Sequence, residues 1–283
     1  MKKKLLLIIV LGVAVIAGVS LVYNILRMPY RLSTTPAVNG PQNTAKAPSG
    51  EEGKLFELAA GYDRSGDLLS MRDTYQKIMD VFPASANGQK ARDGMDNANI
   101  RILFSPIPTP DSASYEVVKG DTLAKIAKKF SNTQDMILRA NGLKNSAIVP
   151  LGRKLKVHNE KFSIAIDKSQ NILTLKSGDR IVKTYRISTG VNNCTPVGTF
   201  KIVNKVVDPT WYTTGSVVPA DSPKNILGSR WLGLSEKGYG IHGTTEPQSI
   251  GRQVTSGCVR MKNAEVEELY RIVPEGTEVV IMD

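Results

Sequence analysis

The chain is 283 residues long, more than one typical domain, so two or three modules and a sizeable buried core are expected. A net charge of +11 and a pI near 9.6 favour an anionic partner such as membrane headgroups or cell-wall polymers, while the lack of basic blocks interleaved with aromatics argues against nucleic acid. Two cysteines and two histidines exclude a disulfide framework, and with no HExxH or CxxC spacing neither a metal site nor a cofactor is expected.

Lys2, Lys3 and Lys4 precede an apolar run from Leu5 to Leu26, close to the roughly 20 residues that cross a bilayer. The run predicts a transmembrane helix anchoring residues 1–27, with the lysines cytoplasmic and all that follows outside the cytoplasm, in the cell envelope. The alternative is a signal peptide cut near Val15-Ile16-Ala17, which would leave a secreted protein. Residues 28–50, rich in Ser, Thr, Pro, Asn and Gly, form a flexible linker.

Helical periodicity governs residues 51–105. Leu55, Leu58, Ala59 and Tyr62 make one apolar stripe; Leu69, Met71, Tyr75, Ile78, Met79 and Phe82 make a second that ends at Pro83, and a third helix follows Ser85. The pattern resembles a single tetratricopeptide-type (TPR-like) hairpin. One such unit cannot build the groove of a stacked array, so a helical spacer or docking surface is expected. A Pro-rich linker over residues 106–112 ends it.

From Tyr115 the chain runs as an alternating strand, then as an amphipathic helix from Leu123 to Phe130 that Asp121 or Thr122 would cap; a second helix spans about Thr133–Asn141, and a strand closes at Leu155–Val157. Residues 114–158 resemble the LysM module, a βααβ unit that binds N-acetylglucosamine-containing glycans. That resemblance makes Gly120, Asp121, Thr122, Asn141 and Leu143 the candidate glycan contacts. His158 falls between modules, where it is expected to be exposed.

Alternation then dominates: Phe162–Asp167, Ile172–Lys176 and Ile181–Ile187 form an antiparallel meander with turns at Ser169-Gln170-Asn171 and Ser177-Gly178-Asp179. Thr199–Val206 and Gly238–His242 add strands, a helix starts at Asn263 and stops before Pro274, and the last strand is Glu278–Met282. The fold class is therefore a multidomain α+β chain ending in a β-rich sandwich.

Within that sandwich, Ile241-His242-Gly243-Thr244 precedes Thr255-Ser256-Gly257-Cys258-Val259-Arg260-Met261. A thiol is mostly protonated at neutral pH, so a nucleophilic cysteine needs an imidazole or a cation nearby, and two β-segments would bring His242 to Cys258. Gly257 offers a free N–H to a developing oxyanion. These strings, with Ile187-Ser188-Thr189-Gly190, Thr195-Pro196-Val197-Gly198-Thr199-Phe200 and Asn225–Leu232 upstream, resemble the catalytic motif of the L,D-transpeptidase family, the YkuD-type domain, over residues 161–283.

The resemblance implies a peptidoglycan L,D-transpeptidase. Cys258 would form a thioester with a tetrapeptide stem and release D-alanine, His242 would carry the proton, the Gly243 carbonyl would fix the imidazole tautomer, and an amine acceptor would complete a cross-link. An L,D-carboxypeptidase or amidase of the same fold is the alternative. A non-catalytic peptidoglycan-binding protein is another, because Ser256 stands where the family usually has histidine. Arg260 either holds the active-site loop by its carbonyls or meets a substrate carboxylate. Trp211, Tyr212, Trp231 and Tyr239 are candidate groove residues, though Trp231 equally suits core packing. Cys194 is either a plain thiol or a partner for Cys258. Peptidoglycan and the membrane are the expected partners, and the sequence leaves the oligomeric state open.

Overall fold

The computed structural model describes residues 50–144, 149–213 and 215–283; the expected membrane helix and all but the last residue of the linker after it lie outside the described residues. Among the described residues no helix is long and apolar enough to cross a membrane.

Three helices open the described chain: α1 (Glu51–Ser65), α2 (Leu68–Val81) and α3 (Gly88–Leu103). Their stripes meet in two clusters, Leu55, Phe56, Ile78 and Ala91 in one and Leu68, Met71, Ala98 and Ile102 in the other. Next comes the βααβ unit, β1 (Ser112–Glu116), α4 (Leu123–Lys129), α5 (Gln134–Ala140) and β2 (Lys154–His158), with β1 antiparallel to β2. Thr122 caps α4 and Thr133 caps α5, each by accepting a main-chain N–H. The first strand begins at Ser112, inside the stretch expected as linker, because its pairing with β2 runs out to His158.

The C-terminal part contains β3 (Phe162–Asp167), β4 (Ile172–Ser177), β5 (Arg180–Arg186), β6 (Thr189–Gly190), β7 (Gly198–Val207), β8 (Trp211–Thr213), β9 (Ser216–Val218), β10 (Arg230–Leu234), β11 (Gly240–His242), β12 (Gln253–Thr255), β13 (Val259–Arg260), α6 (Asn263–Ile272) and β14 (Glu278–Met282). Eight of these strands form one mixed sheet in the order β13-β11-β10-β7-β14-β3-β4-β5. Leu173, Leu175 and Val182 near one end share a cluster with Ile241 and Val259 at the other and with Val266, Leu269 and Ile272 of α6. The two layers of the expected sandwich are therefore two halves of a single sheet that curls around its core.

The free edge of that sheet is covered. On α3, Asn99 Nδ2 donates to the Val182 carbonyl at 3.0 Å and Asp96 Oδ2 accepts from the Thr184 N–H at 2.9 Å, so two helix side chains take the place of a missing neighbour strand. Ile100 and Leu103 extend into the sheet's core cluster. The helical unit is packed onto the sheet rather than standing off from it. His158 also departs from expectation: it is 2% exposed, stacks on Phe162 with ring centroids 4.4 Å apart, and its Nε2 lies 2.9 Å from Ser177 Oγ. Only Asn159, Glu160 and Lys161 separate β2 from β3; these three stay exposed, while His158 at the end of β2 is buried against the next strand.

Burial raises the Asp96 carboxyl to about 6, against the Thr184 N–H and Lys183, which lower it. An acid with a folded pKa above its unfolded value favours folding while protonated; that contribution is whole below about pH 4 and is lost as pH rises through about 6. Asp96→Asn stays neutral and keeps an acceptor for Thr184. Thermal melts should place it level with wild type at pH 4 and ahead at pH 7.5, by on the order of 3 kcal/mol at most. An offset that does not change between the two pH values would remove Asp96 from the pH dependence.

Candidate active site

The site is built on three neighbouring strands. Strand β11 runs antiparallel to β10, which sets Trp231 opposite His242, and parallel to β13, which sets Ile241 beside Val259 and His242 beside Arg260. Carried one residue back, the parallel register puts Cys258 beside Gly240. Alternate residues of a strand share a face, so Gly240, His242 and Cys258 point to the same side. The Trp231 ring covers that side: it stacks on His242 at 6.0 Å and 18°, and a Cβ at Gly240 would come within 2.5 Å of it. Glycine is required at 240 because the indole occupies the space of a side chain.

His242 is 2% exposed, and its Nδ1 lies 2.7 Å from the Gly243 carbonyl. A carbonyl only accepts, so Nδ1 carries the proton and Nε2 is left as the basic atom. Asn263, at the start of α6, holds the loop beyond, its Oδ1 accepting from the N–H groups of Ser229 at 3.2 Å and Thr244 at 3.0 Å. Burial drives the His242 pKa down to about 4; Arg260 acts in the same direction, and the Gly243 and Leu227 carbonyls oppose it. Burial likewise pushes the Cys258 thiol up, with Cys194 adding to the rise and the Gly240 main chain and Arg260 opposing it. The resting pair is neutral thiol and neutral imidazole. The thiol donates to the Gly238 carbonyl at 3.6 Å, and among the described residues no hydrogen bond joins it to His242.

Cys258 lies on the wall of a cavity of about 580 Å³. Trp211 and Tyr212 from the β8–β9 hairpin, Trp231 from β10, and Asn204, Val206 and Leu227 also line it. Tyr212 is 75% exposed beside it. Tyr239 is not part of that lining; its ring lies against Gly257 and packs on the core cluster. The β8–β9 hairpin went unforeseen, although Trp-Tyr-Thr-Thr-Gly-Ser-Val-Val has the aromatic and β-branched residues and the central glycine of a hairpin.

Gly257 has φ +122°, and a Cβ there would come 2.7 Å from Tyr239. Its N–H, expected to be free for an oxyanion, is instead donated to Thr255 Oγ1 at 3.2 Å, and that hydroxyl donates in turn to the Cys258 carbonyl at 2.6 Å. Ser256 is exposed. Arg260 is buried, and its Nη1 reaches Glu246 Oε2 at 2.8 Å and Ser249 Oγ at 3.0 Å. Its loop contacts are thus side chains rather than the carbonyls expected.

Comparison with known proteins bears on this geometry. Residues 161–281 match the model of the YkuD family, the L,D-transpeptidase catalytic domain, and residues 115–158 match the LysM domain. The YkuD protein of Bacillus licheniformis is 38% identical over 174 residues, 59% of this chain and 97% of its own length. That of Bacillus subtilis is 36% identical over 174 residues, 59% of this chain and 98% of its own. The chain belongs to the L,D-transpeptidase family. Among solved structures, the catalytic domain of the E. faecium L,D-transpeptidase is 23% identical, covering 44% of this chain and 100% of that one, with a TM-score of 0.37.

In this L,D-transpeptidase family member the structure gathers Gly120, Asp121 and Thr122 into the turn between β1 and α4. Asp121 accepts from the Val118 N–H at 2.9 Å and from the Tyr115 hydroxyl at 2.8 Å, while Thr122 caps α4. Asn141 is bound to β2 through the N–H and carbonyl of Lys156, at 2.7 and 2.8 Å, and Leu143 packs on the module's core. Both cysteines are free, and Cys194 is exposed.

A raised thiol beside an imidazole that stays neutral predicts a particular titration. The iodoacetamide rate at Cys258, separated from Cys194 by peptide mapping, should climb steadily from pH 6 to beyond pH 9. A plateau between pH 5 and 8 would instead reveal a preformed thiolate–imidazolium pair.

Proposed function

We propose that the chain is a peptidoglycan L,D-transpeptidase held in the cell envelope by its N-terminal apolar segment. The observation that carries this reading is the His242 Nδ1 to Gly243 carbonyl bond, which leaves Nε2 basic on the strand face that also bears Cys258, at the wall of an aromatic groove.

The target is the amide joining the third stem residue to D-alanine, a carbonyl with a poor amine leaving group. Because both groups rest neutral, the thiol leaves the Gly238 carbonyl and transfers its proton to His242 Nε2 as the sulfur attacks. Collapse of the tetrahedral intermediate breaks the C–N bond, and the imidazolium returns the proton to departing D-alanine. The resulting thioester is attacked by an amine of a second stem; His242 accepts that amine's proton, and the thiol leaves as the new amide forms. Trp211, Tyr212 and Trp231 form the apolar wall that orients the donor stem. The LysM module holds the glycan, so the polymer stays within reach between turnovers.

The full chain incubated with purified disaccharide tetrapeptide, followed by mass spectrometry, tests this. Wild type should release D-alanine and form a cross-linked dimer, and Cys258→Ala should lose at least about a thousandfold in turnover. Release of D-alanine without dimer would make water the acceptor and the protein a carboxypeptidase; equal turnover by Cys258→Ala would end the cysteine mechanism.

A further inference from the structure

Lys168 is a lysine buried to 2% exposure with no assigned role. Its Nζ has three acceptors in reach: the Thr195 carbonyl at 2.8 Å, the Asn193 carbonyl at 3.2 Å and the exposed Asp283 carboxylate at 3.2 Å. Asn193 Nδ2 donates to the same carboxylate at 2.8 Å. Two of the three acceptors belong to one loop, and that loop passes through left-handed backbone at Asn192 (φ 50°) and Asn193 (φ 61°). Asparagine is the non-glycine residue that takes this conformation most readily, and two in succession turn the chain sharply so that both carbonyls can face Lys168. An apolar side chain would spare the cost of desolvating an ammonium but would leave the Asn193 and Thr195 carbonyls without this donor, so the lysine serves to hold the loop.

The other side of the loop faces the nucleophile. Gly190 donates its N–H to Thr195 Oγ1 at 2.8 Å, and a Cβ on Gly190 would collide with Cys194 Sγ and come 2.9 Å from Gly257 Cα. A Cβ on Gly257 would in turn come 3.5 Å from the Cys194 carbonyl. Gly257 is the residue before Cys258, so the 191–195 loop is the wall on which the nucleophile's backbone rests. We infer that Lys168 is a positioning residue: by gripping the Asn193 and Thr195 carbonyls it fixes the loop against Gly257 and so sets where the Cys258 sulfur points. The inference rests on the proposed role of Cys258.

The test uses the full chain with Lys168→Met, which keeps the buried volume and removes the three donors. Turnover of the disaccharide tetrapeptide should fall about tenfold or more in kcat, with KM within about twofold and a single cooperative melting transition at a lowered temperature, because two carbonyls lose their donor. The iodoacetamide rate at Cys258, which needs no turnover, should change by more than about threefold at pH 8. A folded Lys168→Met with wild-type kcat and alkylation rate, beside an inactive Cys258→Ala, overturns the inference while leaving the cysteine mechanism standing. If Cys258→Ala turns over normally, the cysteine mechanism fails, and the alkylation comparison alone decides on Lys168. If Lys168→Met does not fold, Lys168→Gln, a polar side chain too short to keep both carbonyl contacts, decides: lower kcat with an altered alkylation rate at unchanged KM supports positioning, and unchanged kcat and alkylation rate refute it.

Discussion

Everything at the site depends on two short parallel strands keeping register. Strands β11 and β13 pair over only Ile241–Val259 and His242–Arg260, and parallel pairing is slightly weaker per residue than antiparallel. A slip by one residue would send His242 and Cys258 to opposite faces. The register is held from outside the pair. Ser188 exchanges main-chain hydrogen bonds with Arg260 at 2.8 and 2.9 Å, the Met261 N–H reaches the His242 carbonyl at 2.8 Å, and Ile241, Val259 and Met261 are buried in the core. Arg260 adds a charged clamp to Glu246 and Ser249, which ties the loop between the two strands to the second of them. The motif arginine therefore acts here on the alignment of His242 and Cys258.

The same burial that secures the register sets the electrostatics. A dry site disfavours both the imidazolium and the thiolate, so the histidine falls and the cysteine rises, and the ion pair that would mark an activated cysteine does not form at rest. Separating charge in such a site is expensive unless bond formation accompanies it. In the proposed mechanism the proton moves when a carbonyl carbon is present to take up the electron pair of the sulfur.

Much of this was legible in the sequence, and the parts that were not share a cause. The final helix and strand, the meander and Thr122 as one of two candidate caps follow from periodicity and capping, which are local, and the Cys258 and His242 strings are specific enough to name a family without any structure. Lys168 reads as an ordinary turn lysine and becomes notable only when the 191–195 loop folds over it. His158 and the Gly257 N–H were misjudged for the same reason, since Ser177, Phe162 and Thr255 Oγ1 are partners that only the folded chain supplies. The hydrogen bonds from Asn99 and Asp96 to β5 span 83 and 88 residues, beyond the reach of any local pattern.

Those long-range contacts change what the accessory modules mean. Lys156 of β2 donates to the Ile102 and Ser105 carbonyls at 2.8 and 2.9 Å, which joins the LysM unit to the end of α3. The Thr133 hydroxyl donates to the Arg271 carbonyl, and Arg271 pairs with Asp135 at 3.5 Å, which joins α5 to α6. A flexible tether raises local substrate concentration by an amount that depends on linker length. Here the glycan module is bonded to both of its neighbours, so linker length does not set the spacing. On the proposed reading, the distance between a sugar held by the LysM unit and the thiol would then be set by the fold. Such a distance would limit which stem along a glycan strand reaches Cys258, a restriction that a loose anchor could not impose.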